Sequence, residues 1–437
     1  MVHPLGPKKR IVFTTWGSYG DIHPHMALAL ELKSRGHHPV IATSSIYRDK
    51  IEAEGLEFIG VRPDLPEPAS VEAAEMIRKV SDTVFGPAYL FRELLMPHVR
   101  DTYADTLEAV TTGGGADLLV SHQVPLTAPI VAEKTGVKWI SSVLFPIAFA
   151  SAYDPPTPPQ FPAIRSLVVV HPILGQVLMD IGKWTMQWWV EPLQDLRKEV
   201  GLSRGSNPIF EGQHSPRLVL GLFSSLLSKI EPDFPPNTVL TGFVFYDRDD
   251  PGRPVPQEME RFLNEGDPPI VFTLGSSLPW LSNDFYKIAI EASQRLGKRA
   301  VLLTGDKRNL PDGSLPEGIM AFDYAPHNRL MPRSICTVHQ GGIGTTGQAL
   351  RAGRPMIVVP HGQDQPDNAR RCVELGVARS IPAAGLSVDR LVQELAKLLA
   401  DPAYSTRSIE VGEKVSAENG TETACDLIED VLNGGDN

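Results

Sequence analysis

The sequence predicts an α/β protein with two doubly wound domains, each built on a parallel sheet with helices on both faces. Three observations indicate this fold. The chain has 437 residues, about three times the ~150 residues of a typical domain. Short apolar, β-rich runs alternate with helical patterns, as in βαβ units. The alternation stops in the charged, proline-rich segment 247–257 and then begins again, so we expect the domain boundary there.

The N-terminal half contains the first set of alternating elements. Apolar runs predict strands at 11–15, 38–44, 56–61, 117–122, 137–143 and 217–225, and helical patterns lie at 24–36, 47–55 and 127–136. Residues 145–165 are proline-dense and are expected to form a loop. We therefore expect an N-terminal domain of residues 1–246.

The C-terminal half repeats the pattern. Strands are predicted at 269–276, 299–305, 318–325, 335–342 and 355–360, and helices at 284–297, 345–353, 387–401 and 418–433. This predicts a second domain of residues 258–417 and a terminal helix within 418–437. Two such domains facing each other would bring the carboxyl ends of their strands to a shared cleft, where open parallel sheets bind ligands.

The composition excludes several classes of protein. Hydrophobic residues make up 42% and charged residues 21%, which are ordinary globular values. The net charge of -11 argues against nucleic-acid binding, which needs a basic surface. Three cysteines without metal-ligand spacing argue against structural zinc and a disulfide framework. Because no signal peptide or transmembrane segment is evident, we expect a cytoplasmic protein, with peripheral membrane contact left open.

The turn after Val338 is the most informative segment. Its glycines let the backbone approach a ligand closely, and the helix that follows presents unpaired N–H groups that favour an anion. The imidazole of His339 and the hydroxyls of Thr345 and Thr346 can add donors. This combination predicts a diphosphate site, and the alternative is a tight turn between a packed strand and helix.

The same turn satisfies a dinucleotide-binding fingerprint. Gly342, Gly344 and Gly347 have the required spacing, and Asp364 follows about 20 residues later. However, several βα units precede this turn, whereas the fingerprint normally opens its domain. A dinucleotide-dependent oxidoreductase is therefore a remote alternative.

Two segments carry a resemblance to a known family. Residues 322–371, which include HQGGIGTTGQALRAGRPMIVVPHGQDQPDNARR, resemble the C-terminal signature of the UDP-glycosyltransferase family, and GSYGDIHPHMALALELKSRGH at 17–37 resembles its N-terminal opening. The bacterial members that are similar to sterol glucosyltransferases and rhamnolipid rhamnosyltransferases look closest. The resemblance implies a GT-B fold, with the donor nucleotide sugar in the C-terminal domain and the acceptor in the N-terminal one. It also implies metal-independent, usually inverting transfer without a cofactor, and a final helix that returns to the N-terminal domain.

The resemblance also implies a donor site. Tyr324 takes the place of the aromatic residue that stacks on the nucleobase, and the Ala325 backbone would contact the base. Asp364 and Gln365 take the place of the pair that binds sugar hydroxyls. The diphosphate would contact a group of residues in two loops: Ser276, His339, Gly341, Gly342, Gly344, Thr345 and Thr346.

The catalytic base is predicted at Asp21 or His122. Family members often pair a first-loop histidine with a later aspartate, and here the order is reversed, with Asp21 first and His122 second. Asp21 could take the proton with support from His122, or orient His122; His23 and His25 lie close by as competitors. A carboxylate would need a raised pKa to act as a base at neutral pH. The alternative interpretation of Asp21 is a helix N-cap before Pro24.

We therefore expect transfer of a sugar, with UDP-glucose as the donor, to a hydroxyl of a lipophilic small molecule. A TDP-rhamnose transferase acting on a lipid or hydroxy-fatty acid is the alternative, and a non-catalytic sugar-nucleotide or lipid binder is a remote one. The acceptor would meet aromatic side chains: Phe145, Phe149, Trp184 and Trp188. The Asp247-Arg248-Asp249 sequence has the metal-binding DxD spacing, but its place in the linker favours a solvated loop.

Overall fold

The fold comes from a computed structural model, which describes residues 8–67, 70–155, 168, 172–248, 255–275, 284–311 and 313–434. The chain forms two compact units. The N-terminal unit comprises Met1–Ala73, Val84–Tyr246 and Asn419–Asn437, and the C-terminal unit comprises Ala74–Thr83 and Asp247–Glu418. Most of the predicted linker, residues 249–254, lies outside the described residues.

The N-terminal unit is built on a seven-stranded parallel sheet in the order β3-β2-β1-β4-β5-β6-β7. The strands are β1 (Arg10–Thr14), β2 (His38–Thr43), β3 (Glu57–Gly60), β4 (Leu118–His122), β5 (Lys138–Val143), β6 (Val219–Gly221) and β7 (Thr238–Leu240). In β1, Val12 pairs with Val40 of β2 and Leu119 of β4, and all three are fully buried. Because successive strands run outward from β1 in both directions, the sheet is doubly wound, as predicted.

Helices cover this sheet and include the end of the chain. Their bounds are Tyr19–Ser34, Arg48–Ala53, Val99–Thr111, Ala128–Thr135, Pro172–Met186, Glu191–Glu199 and Gly420–Leu432, with short helical turns from Gly86 to His98. A further helix, Val71–Val80, lies mostly in the segment Ala74–Thr83 of the C-terminal unit. The terminal helix Gly420–Leu432 packs against Tyr19–Ser34, where Arg35 forms ion pairs with Asp426 at 2.5 Å and Glu429 at 2.8 Å.

The helix after β1 begins earlier than predicted. It starts at Tyr19, and Pro24 lies inside it instead of opening it. The reason is a capping box: the Ser18 hydroxyl accepts a hydrogen bond from the Gly20 N–H, and Asp21 Oδ2 accepts one from the Ser18 N–H at 2.7 Å. Asp21 is therefore in the first turn of the helix, and the N-cap is Ser18.

The C-terminal unit is built on a six-stranded parallel sheet in the order β10-β9-β8-β11-β12-β13. Its strands are β8 (Ile270–Thr273), β9 (Ala300–Leu303), β10 (Ile319–Phe322), β11 (Cys336–His339), β12 (Met356–Val358) and β13 (Ala378–Ser380). Its helices are Gln257–Asn264, Phe285–Arg295, His327–Leu330, Ile343–Arg351, Gln365–Glu374, Val388–Ala400 and Pro402–Ser416. The short strands β7 and β13 and the helix Gln365–Glu374 are absent from the predicted elements.

The two sheets share one topology. Strand β11 lies beside β8 as β4 lies beside β1, and both β4 and β11 end at a histidine. Each sheet therefore presents a histidine, His122 or His339, at the carboxyl edge where parallel sheets bind ligands.

No helix in the described part of the chain is long and apolar enough to cross a bilayer.

Candidate active site

Asp21 lies just beyond the carboxyl edge of the N-terminal sheet. Its Oδ2 accepts hydrogen bonds from the Ser18 N–H at 2.7 Å and from the Ser18 hydroxyl at 3.2 Å. The preceding turn fits only glycine at position 17, because φ is +135° and a Cβ there would lie 2.3 Å from Asp21 Oδ2. The loop thus positions the carboxylate tightly while 23% of the side chain stays exposed.

His122, the second residue predicted for the catalytic pair, lies next to Asp21. His122 Nε2 is 3.7 Å from Asp21 Oδ1, so the chain brings the two together across β1 and β4. The His122 side chain is fully buried; its ring contacts the Trp16 backbone, but neither ring nitrogen makes a hydrogen bond of good geometry among the described residues. Buried nitrogens without partners are rare, which marks this position as a candidate site.

Burial moves the pKa values of this pair in opposite directions. It raises the pKa of Asp21 to about 6, although the hydrogen bonds from Ser18 oppose the shift. It holds the pKa of His122 well below the usual value, and the nearby His25 lowers it further. At neutral pH the site therefore contains an ionised carboxylate of raised basicity beside an uncharged imidazole.

The turn after β11 in the C-terminal unit closes tightly. Gly341 has φ of +90°, and a Cβ there would lie 2.6 Å from Val358 Cγ1, so only glycine fits. Gly342 is the N-cap of the helix Ile343–Arg351, and the exposed Gly344 follows in its first turn. The helix therefore begins at Ile343, two or three residues before the predicted start, with the glycines at its N-terminus.

A carboxylate of the protein already lies at this helix N-terminus. Asp364 Oδ2 accepts a hydrogen bond from the Ile343 N–H at 3.1 Å and another from Asn368 Nδ2 at 2.7 Å. Asn368 also donates to the Gly341 carbonyl at 2.9 Å. Asp364 thus stabilises the positive end of the helix and fixes the turn. Gln365 was predicted to act together with Asp364. Its side-chain oxygen accepts a hydrogen bond from the His361 N–H at 2.9 Å.

His339 points into the protein. It is fully buried, its Nδ1 accepts a hydrogen bond from the Gly341 N–H at 3.1 Å, and its Nε2 lies 3.4 Å from Met356 Sδ. Burial lowers the pKa of His339 to about 3, so the ring is neutral. This geometry does not support the predicted donation from His339 to a diphosphate, because both nitrogens are already engaged. Through its bond from the Gly341 N–H, His339 holds the turn after β11.

The remaining predicted donor-site residues differ in accessibility. Tyr324 is 39% exposed, and Ala325 next to it is buried. Thr345 and Thr346 are both buried; Thr345 Oγ1 lies 3.4 Å from Gln340 Nε2, and Thr346 Oγ1 has no partner among the described residues. Ser276 lies outside the described residues.

The predicted acceptor residues divide into buried and exposed side chains. Phe149 is only 7% exposed and stacks on Phe234 with ring centroids 4.0 Å apart, so it belongs to the packed interior, while Phe145 is half-buried. Trp184 and Trp188 are 75% and 54% exposed. They extend an exposed apolar face of the helix Pro172–Met186 that also includes other side chains: Ile173, Leu174, Val177, Leu178 and Ile181.

The DxD sequence has another partner. Asp247 forms a two-point ion pair with Arg351, at 2.6 and 2.7 Å, and Asp249 lies outside the described residues. Across the described ranges, no three His, Cys, Asp or Glu side chains are grouped so that they could hold a metal ion.

Sequence reasoning missed one residue that orders these loops, Asn368, and named another, His25, only as a competitor for the base. Asn368 connects Asp364 to the turn, and its position four residues after Asp364, on the same face of one helix, was an available signal. His25 is hydrogen bonded to Asp21 and Ser142, but nothing in the sequence separates it from His23.

The comparisons with known proteins agree with this geometry. Residues 11–151 match the glycosyltransferase family 28 N-terminal domain, and residues 292–429 match the C-terminal domain of erythromycin biosynthesis protein CIII-like proteins. One relative, O-mycaminosyltylonolide 6-deoxyallosyltransferase of Streptomyces fradiae, is 32% identical over 96% of this chain and 97% of its own length. The chain belongs to the UDP-glycosyltransferase family. This identification replaces the oxidoreductase alternative.

The chain is also similar to glycosyltransferases that act on other kinds of acceptor, according to their names. Sterol 3-beta-glucosyltransferase of Yarrowia lipolytica is 26% identical over 97% of the chain, which corresponds to 29% of that longer protein. The solved spinosyn rhamnosyltransferase complexed with thymidine diphosphate has a TM-score of 0.67 at 17% identity, covering 97% of this chain and 99% of that one. A glycosyltransferase of kitacinnamycin has a TM-score of 0.69 at 21% identity, with coverage of 98% and 100%. These structures share the GT-B fold, as predicted.

Proposed function

We propose that this glycosyltransferase transfers a sugar from a nucleoside diphosphate sugar to a hydroxyl of a lipophilic small molecule, with Asp21 as the catalytic base. The observation that carries the proposal is the Asp21 carboxylate, which is partly exposed, has a pKa raised to about 6 and lies 3.7 Å from a buried, uncharged His122. A base with a pKa near the working pH is the most effective one.

The proposed reaction is a single displacement. Asp21 takes the proton of the acceptor hydroxyl while the hydroxyl oxygen forms a bond to the anomeric carbon. The bond from that carbon to the diphosphate oxygen breaks, and the nucleoside diphosphate leaves with the electron pair. Because attack comes from the side opposite the leaving group, the configuration inverts. Asp21 then returns the proton to solvent.

The choice of Asp21 over His122 rests on accessibility and charge. A base must reach the proton it abstracts, and 23% of the Asp21 side chain is exposed whereas the His122 side chain is fully buried. Burial also holds the pKa of His122 well below its usual value, which weakens it as a base. In this proposal the uncharged imidazole of His122 is a polar neighbour of the Asp21 carboxylate and does not take the proton.

On the donor side, the proposal gives leaving-group binding to the turn Gly341–Gly344 and the start of the helix Ile343–Arg351. Helix N-termini favour anions, and preorganised donors of this kind usually supply the largest part of such catalysis. His339 and Asp364 would act by holding the turn, through their bonds to Gly341 and Ile343. No metal or cofactor has a part in the proposal.

For the sugar, the sequence analysis expected UDP-glucose, with TDP-rhamnose, a deoxysugar donor, as the alternative. The relative that is 32% identical over nearly the full chain is named as a deoxyallosyltransferase, and this favours a deoxysugar donor here. We therefore propose a TDP-deoxysugar ahead of UDP-glucose. The exposed apolar face that ends in Trp184 and Trp188 supports a lipophilic acceptor, because aromatic side chains offer large contact areas to ring systems.

The test separates binding from chemistry. Thermal shift with UDP and TDP identifies the nucleobase of the donor, since the nucleotide that binds more tightly raises the melting temperature more. UDP-glucose and TDP-rhamnose are then offered with macrolide, sterol and hydroxy-fatty-acid acceptors, and products are read by mass spectrometry. With the active pair, Asp21→Asn is expected to lower kcat by about 10²- to 10⁴-fold, the usual contribution of a general base.

The matched control is Asp49→Asn, the same chemical change at an exposed position of the N-terminal unit. It is expected to keep full turnover. Asp21→Asn should also keep the nucleotide-induced thermal shift of the wild type. Undiminished transfer by Asp21→Asn would eliminate Asp21 as the base.

A further inference from the structure

His25 occupies a buried position beside the proposed base. It lies one turn after Asp21 in the helix Tyr19–Ser34 and is fully buried. Its Nδ1 is 2.7 Å from the Asp21 carbonyl oxygen, and its Nε2 is 2.8 Å from the Ser142 hydroxyl in β5. The reaction proposed above gives this imidazole no role, although its ring centroid is 5.5 Å from that of His122.

The contacts fix which nitrogen carries the proton. A carbonyl oxygen can only accept, so Nδ1 must donate to Asp21. Burial lowers the pKa of His25 to about 4, so the ring is neutral and Nε2 must accept from Ser142. Ser142 Oγ also lies 3.0 Å from the Ser121 carbonyl oxygen, so this carbonyl and His25 Nε2 compete for the single hydroxyl proton. With that proton directed to Nε2, the imidazole connects the Asp21 backbone to β5.

The helix needs a support at this point. Pro24 lies within the same turn and has no N–H, so the hydrogen bond that residue 24 would donate to the Gly20 carbonyl is missing. The turn that carries the Asp21 side chain is therefore short of one backbone hydrogen bond. The donation from His25 Nδ1, together with a contact of 3.3 Å from the Thr15 hydroxyl, attaches the Asp21 carbonyl to the interior of the unit.

We propose that His25 is a positioning residue that holds the backbone of Asp21, through its Nδ1–H, so that the carboxylate stays beside His122. This inference rests on the proposed role of Asp21 as the base. Ser142 contributes by fixing the tautomer and orientation of the imidazole. A second-layer histidine of this kind determines where the base lies without contacting the substrate.

Two substitutions at His25 distinguish this role from simple packing. Asparagine can place its amide N–H where Nδ1–H is, whereas glutamine places its polar end where Nε2 is. His25→Asn is therefore expected to keep kcat within roughly threefold of the wild type. His25→Gln is expected to lower kcat by roughly 10- to 100-fold, the scale of a misplacement of about 1 Å. Donor KM should change little in both variants.

Ser142→Ala provides a second, smaller change that removes the donor to Nε2 and leaves His25 in place. It is expected to lower kcat by roughly 3- to 10-fold, because the imidazole loses its fixed orientation. All three variants are assayed for release of the nucleoside diphosphate in the presence of acceptor, below the melting temperature measured for each. The thermal shift with nucleotide serves as the control for an intact donor site.

The outcomes separate the two proposals. If His25→Asn and His25→Gln have equal kcat, or if donor KM changes in place of kcat, the positioning role is wrong. If Asp21→Asn is inactive while His25→Gln and Ser142→Ala retain wild-type turnover, only this inference fails. If Asp21→Asn retains turnover, the proposed function fails first. A kcat that is lost in His25→Gln and restored in His25→Asn supports the inference.

Discussion

Two histidines occupy the same place in the two sheets and have opposite surroundings. His122 ends β4 and His339 ends β11, and each ring is completely buried. Both ring nitrogens of His339 are engaged, by the Gly341 N–H and by Met356 Sδ. Neither nitrogen of His122 makes a hydrogen bond of good geometry within the described residues, and its Nε2 lies 3.7 Å from Asp21 Oδ1.

The different surroundings of His122 and His339 show that equivalent strand ends in the two sheets can have different roles. In the C-terminal unit, the histidine satisfies a backbone N–H and shapes a turn, so its burial contributes to stability. In the N-terminal unit, a buried histidine and a partly buried carboxylate lie side by side without full compensation, which costs stability and raises the pKa of Asp21. Uncompensated polar groups of this kind are typical of active sites.

The largest expected effect concerns Asp21, whose ionised form is unfavourable in the folded state. Because its pKa is about 6 when folded and 3.8 when unfolded, the unfolded state ionises first as the pH rises, and stability is lost between these values. Asp21→Asn cannot ionise. It should therefore gain about 3 kcal/mol in the free energy of unfolding at pH 8 but only about 1 kcal/mol at pH 4.5.

Chemical denaturation at the two pH values measures this difference. Asp49→Asn, at an exposed position, is the control and should show no comparable dependence on pH. A stability gain for Asp21→Asn that is the same at both pH values would contradict the raised pKa, and with it the contrast between the two sheets.

His339→Leu is expected to have the opposite effect on stability. Leucine has a similar size but cannot accept the hydrogen bond from the buried Gly341 N–H, which costs about 2 kcal/mol in the free energy of unfolding. The displaced turn should also weaken binding of the nucleoside diphosphate, measured by calorimetry. If His339→Leu binds nucleotide and unfolds like the wild type, His339 does not hold the turn.

The sequence predicted the fold well because its signals are local and repeated. Alternating strands and helices indicated both parallel sheets, and the glycines after Val338 indicated a turn at the start of a helix. The resemblance to the family suggested the pairing of Asp21 with His122, and the structure brings His122 Nε2 to 3.7 Å from Asp21 Oδ1.

The orientation of individual side chains could not be predicted in the same way. The inward rotation of His339 depends on Met356 of the next strand and on φ of Gly341. The hydrogen bond from the Ile343 N–H to Asp364 joins residues 21 positions apart, so it depends on how the two loops lie in the folded unit. The capping box was accessible, since Ser18 and Asp21 have the required spacing, but Pro24 suggested a later helix start.

The smallest change in stability, and the sharpest comparison, is expected from His122→Leu. This substitution removes two buried nitrogens that make no hydrogen bond of good geometry within the described residues. At pH 4, where Asp21 is protonated in the folded state, the free energy of unfolding should therefore stay the same or rise by up to about 1 kcal/mol. His339→Leu, the same substitution at the equivalent position of the other sheet, is its matched control.

The activity of His122→Leu should change even though its stability at pH 4 changes little. An apolar side chain beside Asp21 further disfavours the carboxylate, so the pKa of Asp21 should rise above its present value of about 6. The acid limb of the pH profile of kcat/KM, where activity falls as the base is protonated, should therefore move to higher pH. A limb that moves to lower pH, or a stability loss equal to that of His339→Leu, would mean that the two histidines play the same structural role.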